Sequence, residues 1–385
     1  MTGYKRYILP FLLAVGVFSP ASAQVQAIQD AVASVEADSL LSDVERLVAF
    51  DTRFMGSDSN WAAVEWLEDC FQAMGYDVRR DSFVVDVSKS VLGQQFVLND
   101  LTQVNLVASH RGVINPDRKI VLGAHYDSIS LDRPQSEQDF APGADDNATG
   151  VAAVLEIARL LRDRQTGMTV EFVLFGAEEL GLVGSAAHAA AVSSRGEDVA
   201  AMIGLDVLGT RSDIVPDAFT LDTTASYLDV ANQVADAAEA YTDVFSRDGS
   251  SGSRLMVTSI GCRCSDHQSY LNNGIPAIGV FQYFTNPSPH INTSTDTIEQ
   301  VDIAYVAEIT RAILAGILDV AGFPRRSPDF DADGTVGFGD FLLFAEAFGT
   351  EMTDASTEAF DLDGDGQVAF SDFLIFSGSF GRSFT

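Results

Sequence analysis

The apolar and polar positions of the chain repeat with two different periods, and each period predicts one kind of element. Short apolar runs bounded by polar residues predict strands over 120–124, 170–175, 201–205 and 277–283. Apolar residues spaced three and four apart predict helices over 61–74, 150–161 and 303–320. Because strands and helices alternate from about residue 25 to 321, we expect an α/β fold whose mixed sheet is covered by helices on both faces.

The N-terminal residues depart from this pattern. Residues 1–23 combine two early basic residues with an apolar stretch over 8–18 and an Ala-Ser-Ala sequence before Gln24, which is typical of a secretory signal peptide. The apolar stretch is well short of the ~20 residues that a membrane-spanning helix needs. We therefore expect a secreted protein, extracellular or periplasmic, with no membrane span after the signal is removed.

The C-terminal residues carry an internal repeat. The proline-containing stretch 322–328 predicts a linker, and a twelve-residue pattern after it recurs 32 residues later. Each copy has aspartates at positions 1, 3, 5 and 12 and glycine at position 6, which is the oxygen spacing of a calcium loop. The predicted ligands are Asp329, Asp331, Asp333, the Thr335 carbonyl and Asp340, then Asp361, Asp363, Asp365, the Gln367 carbonyl and Asp372.

The repeat pair resembles the dockerin-type and EF-hand-like tails of secreted bacterial enzymes, with aspartate in place of the EF-hand glutamate at position 12. This resemblance implies two calcium ions in a small α-helical domain over 323–385, after a main domain over 24–322. It also implies a cohesin-like or cell-surface partner. The alternative is that the Phe-rich helices of the repeats only pack on each other.

The net charge of the chain makes some classes of partner unfavourable. The chain has 23 basic and 55 acidic residues, a formal net charge of −32. Such a surface repels phosphate backbones and anionic lipid and attracts cations, so we expect no nucleic-acid partner. Of three cysteines, Cys262 and Cys264 are close enough in sequence to pair and would leave Cys70 free, while pairing of Cys70 with either of them is the alternative.

Polar motifs follow the predicted strands at the positions where ligands gather in open α/β sheets. They contain His125 with Asp127, the Asp145–Asp146 pair, the Glu178–Glu179 pair and Asp206. One histidine and several carboxylates that converge there would hold two divalent cations, mainly through oxygen. Asp127 is placed to accept the second ring N–H of His125.

With these motifs in order, GAHYDS, PGADDNATG, FGAEELGLVGS and GLDVLG, the sequence resembles the M28 family of zinc aminopeptidases over about residues 53–301. The resemblance implies a zinc exopeptidase-like fold, two zinc ions and release of N-terminal residues from peptides. It implies that His125 and Asp206 bind one metal, Asp146 bridges both and Glu179 binds the second. Glu178 matches the general base, which takes a proton from the metal-bridging water and delivers it to the leaving amine.

The fifth metal ligand departs from the family pattern. The family histidine, four residues before Asp296, is here Asn292, whose amide oxygen is a weaker donor than imidazole. His290 is the alternative, because residues two apart on an extended segment share a face, and we expect His290 to bind. If neither binds well, the second metal is held loosely. His267 matches a motif that lines the cleft, which predicts either a role beside the substrate or behind the ligands, or a plain satisfied polar residue.

Other functions remain open from the sequence. A glutaminyl cyclase or a carboxypeptidase would use a similar fold, and a catalytically weakened descendant would serve as a surface-binding module. The intact Glu178 favours an enzyme, because a binding module needs no acid–base group beside its metals. Arg53 and Arg254 are expected at the surface or in ion pairs.

Overall fold

The structure is a computed structural model of the chain. It describes residues 20–212, 215, 218–242, 245–249, 253–283, 288–322, 328–331, 335–350, 357–362 and 367–382. Most of the predicted signal peptide, residues 1–19, lies outside the described residues, as does the linker segment 323–327. Among the predicted calcium ligands, Asp333, Asp363 and Asp365 lie outside them too.

Helices and strands alternate through most of the described residues. The α-helices are α1 (Pro20–Ala33), α2 (Ala37–Val48), α3 (Asp58–Ala73), α4 (Thr149–Leu161), α5 (Val183–Arg195), α6 (Leu228–Tyr241), α7 (His267–Asn272), α8 (Ile303–Ala321), α9 (Phe338–Ala347) and α10 (Phe370–Ser379). The strands are β1 (Val78–Val91), β2 (Gln94–His110), β3 (Asn115–His125), β4 (Met168–Phe175), β5 (Asp198–Leu205), β6 (Ala218–Asp222), β7 (Phe245–Ser246), β8 (Ser253–Thr258) and β9 (Ala277–Gln282).

The strands form one mixed sheet in the order β1-β2-β4-β3-β5-β9-β6-β8-β7. In its centre, β4, β3, β5 and β9 run parallel, whereas β2 pairs antiparallel with β4 and β6 pairs antiparallel with β9. The carboxyl ends of β4, β3 and β5 therefore lie side by side at one edge of the sheet.

Helices cover both faces of this sheet. Along β3, Ile120 and Leu122 pack into the larger core, with residues of α1, α2, α4, α6 and α8. Val121, between them, points to the opposite face and packs with residues of α5 and α7. Burial on both faces explains why the central strands are continuous apolar runs in the sequence, and it confirms the expected α/β fold class.

The sequence predicted the central elements and missed the outer ones. The four predicted strands correspond to β3, β4, β5 and β9, and the three predicted helices to α3, α4 and α8. The long β1–β2 hairpin was not predicted, because β1 is an edge strand with exposed polar residues on both sides of the pleat. Its tip carries Leu92, which is 83% exposed.

The C-terminal helices pack on each other and on the main body. Val336, Phe344, Leu362 and Phe376 form a small core between α9 and α10, and Val113 of the main body packs against it. Cys262 and Cys264 form a disulfide and Cys70 is free. Among the described residues, every helix is too short or too polar to cross a bilayer.

Candidate metal centre

Three of the predicted ligands lie where adjacent strands end. His125 is the last residue of β3, Asp206 follows the last residue of β5, and the Glu178–Glu179 pair follows β4 after a two-residue turn. Asp146 lies in an irregular helical turn, Ala144–Ala148, directly before α4. Because β4, β3 and β5 are parallel neighbours, these side chains meet at one edge of the sheet.

The distances at this edge define a first cation position. Nε2 of His125 lies 3.1 Å from Oδ1 of Asp146 and 3.4 Å from Oδ1 of Asp206, and all three side chains are buried. Oδ1 of Asp206 is buried without a hydrogen-bond partner. Donor atoms that bind one zinc at ~2.0–2.2 Å are separated from each other by roughly 3.4 Å, so the three groups fit a shared divalent metal.

Glu178 borders this position. Its Oε2 lies 4.0 Å from Nε2 of His125, and its side chain is buried. The backbone N–H groups of Glu178 and Glu179 both donate to the carboxylate of Asp127, at 3.0 and 3.3 Å. Asp127 therefore fixes the turn that presents both glutamates.

The relation of Asp127 to His125 differs from the sequence expectation. Nδ1 of His125 lies 3.1 Å from the backbone oxygen of Asp127 and 3.7 Å from its carboxylate Oδ1. The backbone oxygen is thus the closer partner, because the carboxylate is engaged by the two glutamate amides. The imidazole is still oriented by Asp127, but through its main chain.

Asn292 lies beside Glu179. With its nitrogen turned toward Glu179, the amide donates to Oε2 at 2.6 Å and to Oε1 at 3.0 Å. The segment is a tight turn rather than the extended strand that we expected, since the backbone oxygen of His290 accepts from both N and Oγ1 of Thr293. The extended geometry on which the expectation for His290 rested is therefore not found, and Nδ1 of His290 is hydrogen-bonded to Oγ1 of Thr295 at 2.8 Å.

Two further carboxylates hold the main chain around the ligands. The Asp296 carboxylate accepts hydrogen bonds from the backbone N–H groups of Asp145 and Asp146, both at 2.9 Å. The Asp145 carboxylate accepts from N of Gly209 and Oγ1 of Thr210, both at 2.7 Å. Asp145 thus ties the turn that carries Asp146 to the segment that follows Asp206.

The carboxylates of the centre repel one another. Burial, and then the charges of Asp266 and Asp206, raise the pKa of Glu178 well above its ordinary value, although His125 acts in the opposite direction. Burial together with the charges of Asp146 and Glu178 raises the pKa of Glu179 in the same way. Protons or cations stabilise such a cluster, and one divalent cation neutralises several carboxylates at once.

The match to a family model shows which protein family the chain belongs to. The model of peptidase family M28 matches residues 105–317, more than half of the chain. The chain belongs to peptidase family M28. A probable aminopeptidase of Saccharomyces cerevisiae is 26% identical over 313 residues, which cover 80% of this chain and 79% of that protein.

Solved structures resemble this M28 chain in fold. A zinc aminopeptidase from Bacillus subtilis superimposes with a TM-score of 0.60 at 16% identity, over 75% of this chain and 98% of that one. Porphyromonas gingivalis glutaminyl cyclase superimposes with a TM-score of 0.58 at 23% identity, over 74% of this chain and 98% of that one. At these identities the similarity concerns the fold alone.

Arg53 lies beside the predicted metal centre, and our expectation for its position was wrong. We expected it at the surface or in an ion pair, but its side chain is fully buried. Its guanidinium donates to the backbone oxygens of Leu47, Tyr126, Pro142 and Gly143, at 2.7–3.2 Å. Every residue has a backbone oxygen, so residue types alone could not predict that Arg53 is buried among these acceptors.

The contacts of Arg53 join the segments that carry two of the predicted ligands. Tyr126 follows His125, and Pro142 and Gly143 precede Asp146. Gly143 has a φ of +52°, and a Cβ atom there would lie 2.9 Å from Nη2 of Arg53, so glycine leaves room for the guanidinium. Burial lowers the pKa of Arg53 to about 10 against the raising effect of the nearby carboxylates, so the side chain is cationic at neutral pH.

His267 lies apart from the group formed by His125, Asp146 and Asp206. Its ring is fully buried, packs edge-on against Phe281 at a centroid distance of 5.7 Å, and has neither nitrogen hydrogen-bonded. Burial lowers the pKa of His267 to about 4, so it is neutral at physiological pH. A role beside the substrate or behind the ligands stays a prediction.

In the C-terminal repeats, the last aspartate of each loop binds backbone amides. The Asp340 carboxylate accepts from N of Phe330, Asp331 and Gly337, and carboxylate oxygens of Asp329, Asp331 and Asp340 lie within 4.8 Å of one another. The Asp372 carboxylate accepts from N of Leu362 and Ala369. Each of these aspartates therefore ties the start of its loop to the first turn of α9 or α10.

Replacement of Arg53 tests its contribution to the centre. We expect Arg53→Met to lower the free energy of unfolding by about 3 kcal/mol or more, because it leaves several buried carbonyls without a donor. Arg53→Lys keeps the charge but has no planar fork, so we expect it to weaken metal binding even if the chain folds. Chemical denaturation and titration with zinc measure both effects.

The control is Arg254→Met, at an exposed position, which should change the free energy of unfolding by less than about 0.5 kcal/mol. Equal stability and equal zinc affinity in wild type and both Arg53 variants would contradict the assignment.

Proposed function

We propose that this M28 protein is a secreted, metal-dependent aminopeptidase. The observation that carries the proposal is a buried glutamate, Glu178, whose carboxylate lies 4.0 Å from the ring nitrogen of a histidine that two aspartates also approach. The relative named as an aminopeptidase supports the same reaction. The zinc aminopeptidase of similar fold favours zinc as the metal.

The ligand assignment is the one that the family resemblance implies, and the distances among His125, Asp146 and Asp206 support it for the first cation. His125 and Asp206 would hold the first cation, Asp146 would bridge, and Glu179 with Asn292 would hold the second. When bound, such cations polarise a carbonyl and lower the pKa of water. His290 is left out of this set, since its Nδ1 is engaged by Thr295.

Glu178 is the proposed general base and acid. Its backbone N–H donates to Asp127, and its carboxylate Oε2 lies 4.0 Å from Nε2 of His125. It would accept a proton from the attacking water and then donate that proton to the leaving amine of the peptide. The neighbouring carboxylates and its burial favour the protonated form, which suits the second step.

The charge around the centre favours the amino end of a peptide. The described side chains at the centre are mostly carboxylates, which attract the ammonium group of a free N-terminus. A carboxypeptidase needs a cation for the C-terminal carboxylate, and the guanidinium of the buried Arg53 is already engaged by four backbone oxygens. Glutaminyl cyclase is the second candidate, since a solved member shares the fold.

Replacement of the proposed base tests the mechanism. We expect Glu178→Gln to lower kcat for a leucyl anilide by about 10²–10⁴-fold, because the amide cannot accept the proton, while bound metal per chain stays unchanged. A chelator should abolish wild-type activity and zinc should restore it. Glu299→Gln, at an exposed position, is the matched control. Full turnover by Glu178→Gln would exclude the assignment.

A second test identifies the chain end that is recognised. We expect a peptide with a free N-terminal leucine to lose residues one at a time from that end, and the N-acetylated peptide to resist, because acetylation removes the ammonium charge. Mass spectrometry of the products measures both. Release of C-terminal residues would favour a carboxypeptidase, and cyclisation of an N-terminal glutamine with loss of ammonia would favour the cyclase.

We further propose that the chain is exported and that residues 323–385 form a separate calcium-binding domain, which attaches the enzyme to a cohesin-like or cell-surface partner. The approach of Asp329, Asp331 and Asp340 supports the first loop. The equivalent backbone contacts of Asp340 and Asp372 support a shared geometry in the second loop.

Calcium titration tests this domain. We expect two calcium ions per chain in isothermal titration, and none at these loops in the double variant Asp329→Asn/Asp361→Asn, which removes a charged oxygen from the first position of each loop. Glu346→Gln, at an exposed position of α9, should bind calcium like wild type. Absence of calcium binding by the wild-type chain would contradict the proposal.

A further inference from the structure

The two cation positions of the proposed centre differ in their donor atoms. The first contains the imidazole nitrogen of His125, within 3.4 Å of its two aspartate partners. At the second, the amide of Asn292 lies against the Glu179 carboxylate, and the charge of Asp146 acts on the same carboxylate. Among the described residues that we assign to the second position, every donor is therefore an oxygen.

The turn that carries Asn292 is fixed from several directions. The backbone oxygen of Asn292 accepts a hydrogen bond from N of Leu131 at 2.7 Å. Two residues later, N and Oγ of Ser294 donate to the Asp132 carboxylate at 2.9 and 2.6 Å. Asn292 itself has a φ of +57°, a left-handed conformation that asparagine tolerates better than most residues. These bonds hold its amide against Glu179.

The same bonds keep His290 in its own position. Its backbone oxygen is held by Thr293, and its ring is held by Thr295. To bring this imidazole to Glu179, the turn would have to release the contacts of Ser294 and Asn292 with the 131–132 segment. The geometry therefore assigns the second position to the amide.

Oxygen donors and imidazole select different cations. Zinc binds nitrogen and sulfur ligands strongly, whereas carboxylate, carbonyl and water ligands suit manganese, magnesium and calcium. Loss of the nitrogen ligand weakens zinc more than it weakens a harder cation. The amide also donates to Glu179 when its nitrogen faces that carboxylate, and this hydrogen bond is lost when the oxygen turns to a cation.

We infer that this protein builds a centre of two unlike cations, with zinc at the position of His125 and a harder, exchangeable divalent cation, such as manganese, at the position of Asn292. The inference rests on the proposed metal-dependent function, since it concerns the same centre. It makes Asn292 the residue that sets the choice of the second metal.

The test counts metals and does not depend on turnover. Metal-free wild-type protein receives one equivalent of zinc, and manganese is then titrated while its electron paramagnetic resonance signal reports the free ion. We expect one zinc per chain to bind tightly and resist exchange, and manganese in excess over free zinc to fill the second position to one per chain, measured by mass spectrometry of the metals. No calcium is added, and the double variant Asp329→Asn/Asp361→Asn, measured in parallel, identifies any manganese that binds to the C-terminal loops.

Two variants separate the candidate ligands. Asn292→His supplies the missing nitrogen, so we expect at least a tenfold gain in zinc affinity at the second position and loss of manganese from it. His290→Ala should bind both metals as wild type does. The inference is overturned if wild type takes two zinc ions with equal affinity, or if His290→Ala loses the second metal and Asn292→Ala keeps it.

The metal counts can support or contradict this inference whether or not the protein is an aminopeptidase. A wild-type chain that binds one zinc and one manganese but releases no N-terminal residue would support the metal assignment and contradict the aminopeptidase. A chain that hydrolyses peptides with two tightly held zinc ions would do the reverse.

Discussion

The structure depends on the burial of like charges at one edge of the sheet. The parallel strands β4, β3 and β5 end side by side, and each is followed by a histidine or carboxylate that points into the same space. Water is largely excluded there, so the repulsion between ionised carboxylates is not screened. The surrounding residues must therefore hold the histidine and the carboxylates close together while leaving their donor atoms able to bind a cation.

Carboxylates that are not themselves proposed ligands hold much of the main chain around the proposed ligands. Asp127 holds the amides of Glu178 and Glu179, and Asp296 holds those of Asp145 and Asp146. In each case a negative group accepts two hydrogen bonds from main-chain donors, which stabilises its charge and fixes the next ligand in the chain. Arg53 contributes the opposite charge, so the ligand positions are set by the protein before a cation arrives.

The elements with a clear apolar pattern, and the meeting of the polar residues that follow the central strands, could be predicted from the sequence. The central strands and α4 and α8 are buried, so their apolar runs are clear, and the residues that follow the strands converge as expected. Arg53 was misplaced because arginine is usually exposed and its partners here are backbone oxygens. The proposed preference for Asn292 over His290 rests on the turn conformation, which neither the apolar pattern nor the spacing specifies.

The contrast between strand ends and loops explains where this centre departs from the family pattern. His125 ends β3 and pairs with Phe175, and N of Asp206, directly after β5, donates to the backbone oxygen of Val280, so paired strands set both positions. Asn292 lies in a turn outside the sheet, and its main chain is bound by N of Leu131. A substitution in such a turn changes one donor atom and leaves the other ligands in place. The proposed second metal position is therefore the part of the centre whose chemistry can vary at the smallest structural cost.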